Sequence, residues 1–365
     1  MNVRAFCQVL IALFCCFSLP GFAQKDVSPG QVTPPAEGTT GLAPGADRRI
    51  TLDVVVTDKS GHPVPGLQQQ DFTVLDDKQP QTILSFRAVD ATSKAADFPR
   101  QAILLADAVN SSFQSLGSAR QQVEKFLRQD GGHLPIPMSL LFLTDSSTQV
   151  QPVATSDGNA LAESLNSTQS SLRTIGRSQG FYGGADRVQI SLRTLEGLAS
   201  YEATQPGRKL LIWLSPGWPL LSGANVELSK KDQESIFNLV VELSGALREA
   251  RITLYSVDPL GVADAGGPET FYYQSFLKGV PSANRVQNGN LGLQVLAAQS
   301  GGRVLNSSND IANSIAGCVL DATAFYTLTF DSPPADHPDE YHSLQVKIGK
   351  SGLTAHTRTG YYAQR

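Results

Sequence analysis

Between residues 101 and 113 the chain reads QAILLADAVNSSF. Ala102 to Ala106 form an unbroken apolar run that ends on Asp107, and the turn-forming group Asn110-Ser111-Ser112 follows. A run of this kind, flanked by helical periodicity, predicts a strand buried on both faces of a parallel sheet. Similar runs at 138–144, 208–214 and 251–257 predict further strands, with short ones at 148–154 and 302–305. Helices are expected between them. Residues 118–129 place Ala119, Val123, Phe126 and Leu127 on one face, and 227–250 do the same with Ile236, Leu239, Val240, Leu243 and Leu247. Residues 157–165 open on Asp157, a capping residue. Residues 186–204, 291–300 and 310–322 complete the set, and 176–184 form a glycine-rich connection. Strands alternating with helices imply right-handed crossovers. The expected class is α/β, a doubly wound, mainly parallel sheet of Rossmann-like type.

Both ends of the chain have a different period. ITLDVVVTD from Ile50 alternates apolar and polar residues, DFTVLDD from Asp71 gives a second strand, and 81–89 a third. Asp58-Lys59-Ser60-Gly61 between the first two has turn chemistry, with too few oxygen ligands for a calcium loop. Near the other end 325–330, 342–348 and 353–361 alternate as strands. These β segments at the N- and C-terminal ends are expected to associate, either as one β sub-domain or as sheets lying against the α/β core. The expected division is a signal peptide over 1–23, a disordered linker over 24–47, an N-terminal β segment over 48–92, the α/β domain over 99–322 and a C-terminal β segment over 323–365.

Composition narrows the function. Of 365 residues 41% are hydrophobic, enough for a core, and the net charge of −4 with no basic patch argues against a nucleic-acid partner. Arg4, the apolar stretch 5–19 and the small residues around Gly21-Phe22-Ala23 suit a signal peptide cleaved after Ala23, so the mature chain is expected to be periplasmic or secreted. Acylation on Cys16 is the weaker alternative, because Phe14 and Cys15 make a poor acylation motif. No other stretch has the length and apolarity of a membrane span. Three of the four cysteines lie in the first sixteen residues, which leaves Cys318 as a small buried apolar residue with no partner for a disulfide.

The carboxyl edge of an open α/β sheet is where ligands bind, and Asp107 is expected there. The block VVVTDKSGHPVPGLQQQDFTVLDDKQPQTILSF, with ITLYSVDPLG, LAAQSGGRVL and the closing segment from Tyr326 to Tyr362, resembles the acidobacterial family related to the von Willebrand factor type A domain. The resemblance implies a central sheet with helices on both faces. It also implies a metal-ion-dependent adhesion site, built in many type A domains from Asp-x-Ser-x-Ser, a Thr and a second Asp. A magnesium ion held there keeps an open position for a partner's carboxylate. Here Asp107 and Ser111 match, Val109 stands for the first Ser, Gly183-Gly184-Ala185 for the loop carrying the Thr, and Ser215-Pro216-Gly217 for Thr-Asp-Gly. Two of five ligands remain, so magnesium is expected weakly at most, with Asn110 and Ser112 as the available substitutes. The alternative is that Asp107 caps the loop that follows it.

No Gly-x-Ser-x-Gly elbow, phosphate loop or His-Glu-x-x-His is present, and His62, His133, His337, His342 and His356 share no ligand spacing. Two loops that follow parallel strands carry aromatic and aliphatic residues suited to a partner: 216–225 with Trp218, Leu220 and Leu221, and 262–290 with Phe271, Tyr272, Tyr273 and Phe276. The same residues would equally serve to pack the loops onto the domain. The expectation is an exported, non-enzymatic, adhesion-like protein-interaction module with a degenerate metal site, an unknown protein partner and no cofactor. The alternatives are a magnesium-dependent adhesion domain and a hydrolase with an unfamiliar site.

Overall fold

The computed structural model describes residues 48–90, 92–93, 99–145, 148–150, 153–167, 181–220, 227–261 and 268–363. The segments expected as signal peptide and linker lie outside these residues. Strands β1 (Arg49–Thr57), β2 (Phe72–Asp76), β3 (Gln79–Gln81) and β4 (Ser85–Val89) come first. The α/β block opens with β5 (Arg100–Asp107), α1 (Phe113–Leu127), β6 (His133–Leu143), β7 (Thr148–Val150), β8 (Thr155–Asp157), α2 (Gly158–Ser167) and α3 (Phe181–Ala203). It continues with β9 (Arg208–Leu214), α4 (Lys230–Glu249), β10 (Ile252–Val257), α5 (Leu293–Gln299), β11 (Val304–Leu305) and α6 (Ile311–Leu320). Strands β12 (Phe325–Asp331), β13 (Glu340–Ile348), β14 (Thr354–His356) and β15 (Gly360–Ala363) close the chain.

The central sheet has the order β11-β10-β9-β5-β6-β7, with β8 also on β6. The five strands from β11 to β6 run parallel, and β7 and β8 return antiparallel along β6. The doubly wound, mainly parallel arrangement read from the apolar runs is therefore present. Strand β6 starts at His133, five residues before its expected start, in spite of Pro135 and Pro137. Its pairing with β5 begins only at Met138, so the prolines sit where the strand has no partner on that side. Helix α1 buries Ala119, Val123, Phe126 and Leu127, the expected face. It starts five residues earlier than the periodicity indicates because Ser112 caps it, accepting from the Ser115 amide. Asp157 likewise accepts from the Ala160 amide at 3.0 Å and Asp310 from the Asn313 amide at 3.2 Å. Helix α3 begins at Phe181, so Gly183 and Gly184 belong to its first turn and not to a connection; residues 168–180 before it are not among those described.

The two chain ends form one sandwich. One sheet is β14-β1-β12-β4 and the other β15-β13-β2-β3, each mixing strands from both ends of the chain. Ile50, Leu52, Val54 and Val56 of β1 face Phe72, Val74, Leu344, Val346 and Tyr361 in a single apolar cluster. The strand expected over 353–361 is two strands, β14 on one sheet and β15 on the other, and buried Arg358 lies between them in sequence. The sandwich is tied to the α/β block by Arg251, which holds Asp53 through two bonds of 2.6 and 3.2 Å. Beside it the Arg208 guanidinium stacks 4.6 Å over Phe325. At the amino end of β9 the buried Lys209 ammonium donates to the carbonyls of Glu202, Gln205 and Ala250, the chain just at or beyond the ends of α3 and α4, where helix dipoles favour a cation. Cys318 is free and buried, and burial pushes its thiol up.

Leu328 is fully buried between the sheets of the sandwich. Leu328→Ala is expected to cost about 2–5 kcal/mol. Urea denaturation checks this; a loss below about 1 kcal/mol would mean that the sandwich core is not packed as described.

Candidate functional site

Counted from β5 as first strand and leaving out β8, which pairs only with β6, the central sheet has the order 3-2-1-4-5-6, and its winding reverses between β5 and β9. That reversal makes a crevice at the carboxyl ends of the two strands, the usual ligand position in such sheets. Asp107 ends β5 and Ser215 follows β9, so both lie at this crevice.

Asp107 is completely buried. Its Oδ1 accepts from the amides of Val109 and Asn110, each at 2.9 Å. Its Oδ2 accepts from Asn110 Nδ2 at 2.7 Å and from the Trp213 indole N–H at 3.0 Å. Four N–H donors thus compensate a charge that would be costly to bury alone. Asn110 Nδ2 also donates to Ser191 Oγ at 2.8 Å, which links the loop to α3. Trp213 packs edge-on against Trp218, with ring centres 5.6 Å apart. The indole of Trp218 donates to the Leu291 carbonyl at 2.9 Å. The crevice is therefore occupied by the protein's own side chains.

A magnesium ion asks for about six hard oxygens in near-octahedral geometry. Val109 and Ala185 offer none; both are buried, Val109 in the apolar cluster that holds Trp213 and Trp218. Ser215 Oγ accepts from the Gly217 amide at 3.0 Å. Asn110 Oδ1 and Ser111 Oγ are buried without a hydrogen-bond partner and are the uncommitted buried oxygens here among the described residues. Two neutral oxygens beside one carboxylate already facing four N–H donors do not fit the ion. The capping alternative describes Asp107 as placed, with the Trp213 bond added.

The residues weighed for partner binding divide. Trp218 is only 5% exposed and its N–H is bonded, so it packs the loop and presents little area to a partner. Leu220, Tyr272 and Tyr273 are half-buried. Tyr272 donates to Gln294 Oε1 at 2.9 Å, and burial pushes its phenol up. It lies edge-on to Tyr273, and Gln294 Nε2 donates to the Pro216 carbonyl at 2.8 Å, so Gln294 joins both loops. The side chain of Phe271 and residues 221–226 and 262–267 lie outside the described set. Sequence reasoning missed Trp213, Ser191 and Gln294. A signal for Trp213 existed, a lone indole near the end of the apolar run RKLLIWL beside an expected buried Asp.

A second polar cluster lies in the sandwich. His342 Nδ1 is 3.0 Å from Asp76 Oδ1 and 3.4 Å from Asp77 Oδ2, with all three ligand atoms within 4.8 Å of one another. Tyr361 donates to Asp76 at 2.5 Å, and the Ser343 amide and hydroxyl donate to Asp77 at 2.9 Å. Each carboxylate thus has protein donors of its own, and the cluster clamps β2 to β13 and β15.

No family model matches the chain, and no curated protein matches it in sequence. Solved structures do. An aerotolerance-related membrane protein from Bacteroides fragilis aligns at 14% identity over 60% of this chain and 98% of its own, with a TM-score of 0.34. The pilus adhesin SpaC from Lactobacillus rhamnosus GG aligns at 11% identity over 82% of this chain and 43% of its own, with a TM-score of 0.38. The VWA domain of SpRpn10 aligns at 12% identity over 59% of this chain and 94% of its own, with a TM-score of 0.29. Likenesses this distant carry no inference about what the chain does.

If Asp107 serves structure, Asp107→Ala strands several buried donors and is expected to cost about 3 kcal/mol or more, and Trp213→Phe about 1.5–3 kcal/mol. Chemical denaturation of both variants checks this. An Asp107→Ala chain as stable as the parent would mean that the carboxylate is kept for a ligand.

Proposed function

We propose that the chain is an exported, non-enzymatic protein-interaction module with a core of the von Willebrand factor type A kind, whose metal-dependent site has been replaced by an internal hydrogen-bond network. The observation that carries this reading is the Asp107 carboxylate, saturated by four N–H donors, one of them the Trp213 indole. The strand order, with Asp107 and Ser215 at the reversal, supports the type A reading. Export rests on the character of residues 1–23. No helix among the described residues is long and apolar enough to cross a membrane. The partner surface is the edge formed by the loops after β9 and β10, where half-buried Leu220 and Tyr273 would meet the partner and the hydrogen-bonded Trp218 and Tyr272 are the support.

The magnesium-dependent reading keeps one observation in its favour, the unpartnered oxygens of Asn110 and Ser111. Thermal unfolding separates the two. With chelator, then with millimolar magnesium or manganese, the melting temperature is expected to stay the same. An ion bound only by the folded state must raise it, so a rise that Asp107→Ala removes would overturn the network reading. Flat activity in a screen of ester, phosphate and peptide substrates is the matching expectation against a hydrolase.

The surface itself is tested by cross-linking the chain to its envelope partners. Leu220→Ala with Tyr273→Ala is expected to lose the cross-linked species at unchanged melting temperature. Retention of that species would remove the loops from the binding face.

A further inference from the structure

The face of the central sheet opposite Trp213 carries a cavity of about 320 Å³. Leu104, Leu140 and Leu214 form its floor, and Val123 of α1 and Leu165 of α2 its walls. Protein interiors are close-packed, with few voids larger than a water molecule, so an apolar space of this size needs a cause. Three small residues supply it: Ala106 at the end of β5, and Gly117 and Ala119 on α1 all line the space, where Leu or Phe would fill it. Gly117 is exposed, and a Cβ there would meet nothing within 4 Å among the described residues.

One charged residue is part of the lining. Arg120 lines the cavity and donates to Asn166 Oδ1 at 2.5 Å. Asn166 is neutral, and among the described residues no carboxylate lies within ion-pair distance of Arg120. Glu124, one turn further along α1, is taken by Arg128 at 3.0 Å and by Asn166 at 3.3 Å. The Arg120 guanidinium thus has a neutral hydrogen-bond partner, Asn166, and the Glu124 carboxylate nearby feels its charge without pairing with it directly.

We propose that this cavity binds a single-chain fatty acid, with the hydrocarbon tail between α1 and the sheet and the carboxylate on Arg120. An apolar cavity of about 150 Å³ accepts benzene, so this one has room for a chain of about ten carbons. Guanidinium recognises carboxylate through paired, charge-assisted bonds, and a cationic amphiphile would meet repulsion at the same point. The pocket is separate from the loops proposed as the partner surface and does not depend on that reading.

Calorimetric titration of the chain from Gln24 onward with decanoate, below its micelle-forming concentration, is the test. Saturable binding at one site per chain is expected. Arg120→Gln should weaken decanoate at least ten-fold and leave decanol within two-fold. Gly117→Leu, an exposed helical position where a side chain is sterically free, should remove binding of both without lowering the melting temperature, and Ala119→Phe should do so by filling the space from within. Absence of saturable binding overturns the proposal. So do equal affinities for decanoate and decyltrimethylammonium, and decanoate binding that Gly117→Leu and Arg120→Gln leave unchanged.

Discussion

A carboxylate without solvent at the end of a central strand has to be answered by donors, and everything around the crevice follows from how Asp107 is answered. The turn after β5 folds so that the Val109 and Asn110 amides reach one oxygen. Asn110 must then aim its amide nitrogen at the other oxygen, which brings that nitrogen within reach of Ser191 and fixes α3 against the loop. Trp213 donates the last bond from β9, and with its ring in the crevice Trp218 packs on it. The loop after β9 is therefore placed by the same carboxylate, through two indoles. Each bond alone is modest; removing the common acceptor strands several donors together, which is the costly case for a buried polar network.

The sandwich imposes a constraint of another kind. Strand β1 pairs with both β12 and β14 in one sheet, and β2 with β13 in the other, so residues nearly three hundred positions apart in sequence must meet before either sheet is complete. The α/β block brings those ends together. Asp53 on the outer face of β1 meets Arg251 at the turn between α4 and β10, and Val55, Val89 and Phe325 close a small apolar contact of their own. Long-range antiparallel pairing of this sort is slow to form, and a preformed α/β scaffold shortens the effective loop.

Periodicity carried the fold well because burial in a parallel sheet leaves a direct imprint: RKLLIWL is buried at every position, and so is ITLYSV. Element ends were harder to read. The capping hydroxyl of Ser112 extends α1 backwards through a stretch without apolar period, and two prolines disguise the start of β6. The division of 353–361 between two sheets has no local signal, since both halves alternate and only the partner strands differ. At the site, the departures from the adhesion-site pattern were legible residue by residue at Val109, Ala185 and Ser215. The hydrogen-bond network around Asp107 was not, because the Trp213 bond to Asp107 joins residues 106 positions apart. The burial of Trp218 was equally hidden: an aromatic in a loop reads the same whether it faces a partner or a neighbouring tryptophan.

The two faces of the central sheet end differently at the same edge, and side-chain size explains it. Alternation along β5 sends Ile103 and Leu105 to one face and Leu104 and Ala106 to the other. On the first face the indoles of Trp213 and Trp218 fill the space above the strand ends, and the carboxylate is sealed beneath them. On the second, Ala106 of β5 and Gly117 and Ala119 of α1 line a cavity between helix and sheet. A sheet of this class binds at its carboxyl edge because the reversal of winding leaves room there. Here that room is filled on the tryptophan face, and the small residues of β5 and α1 leave it on the other.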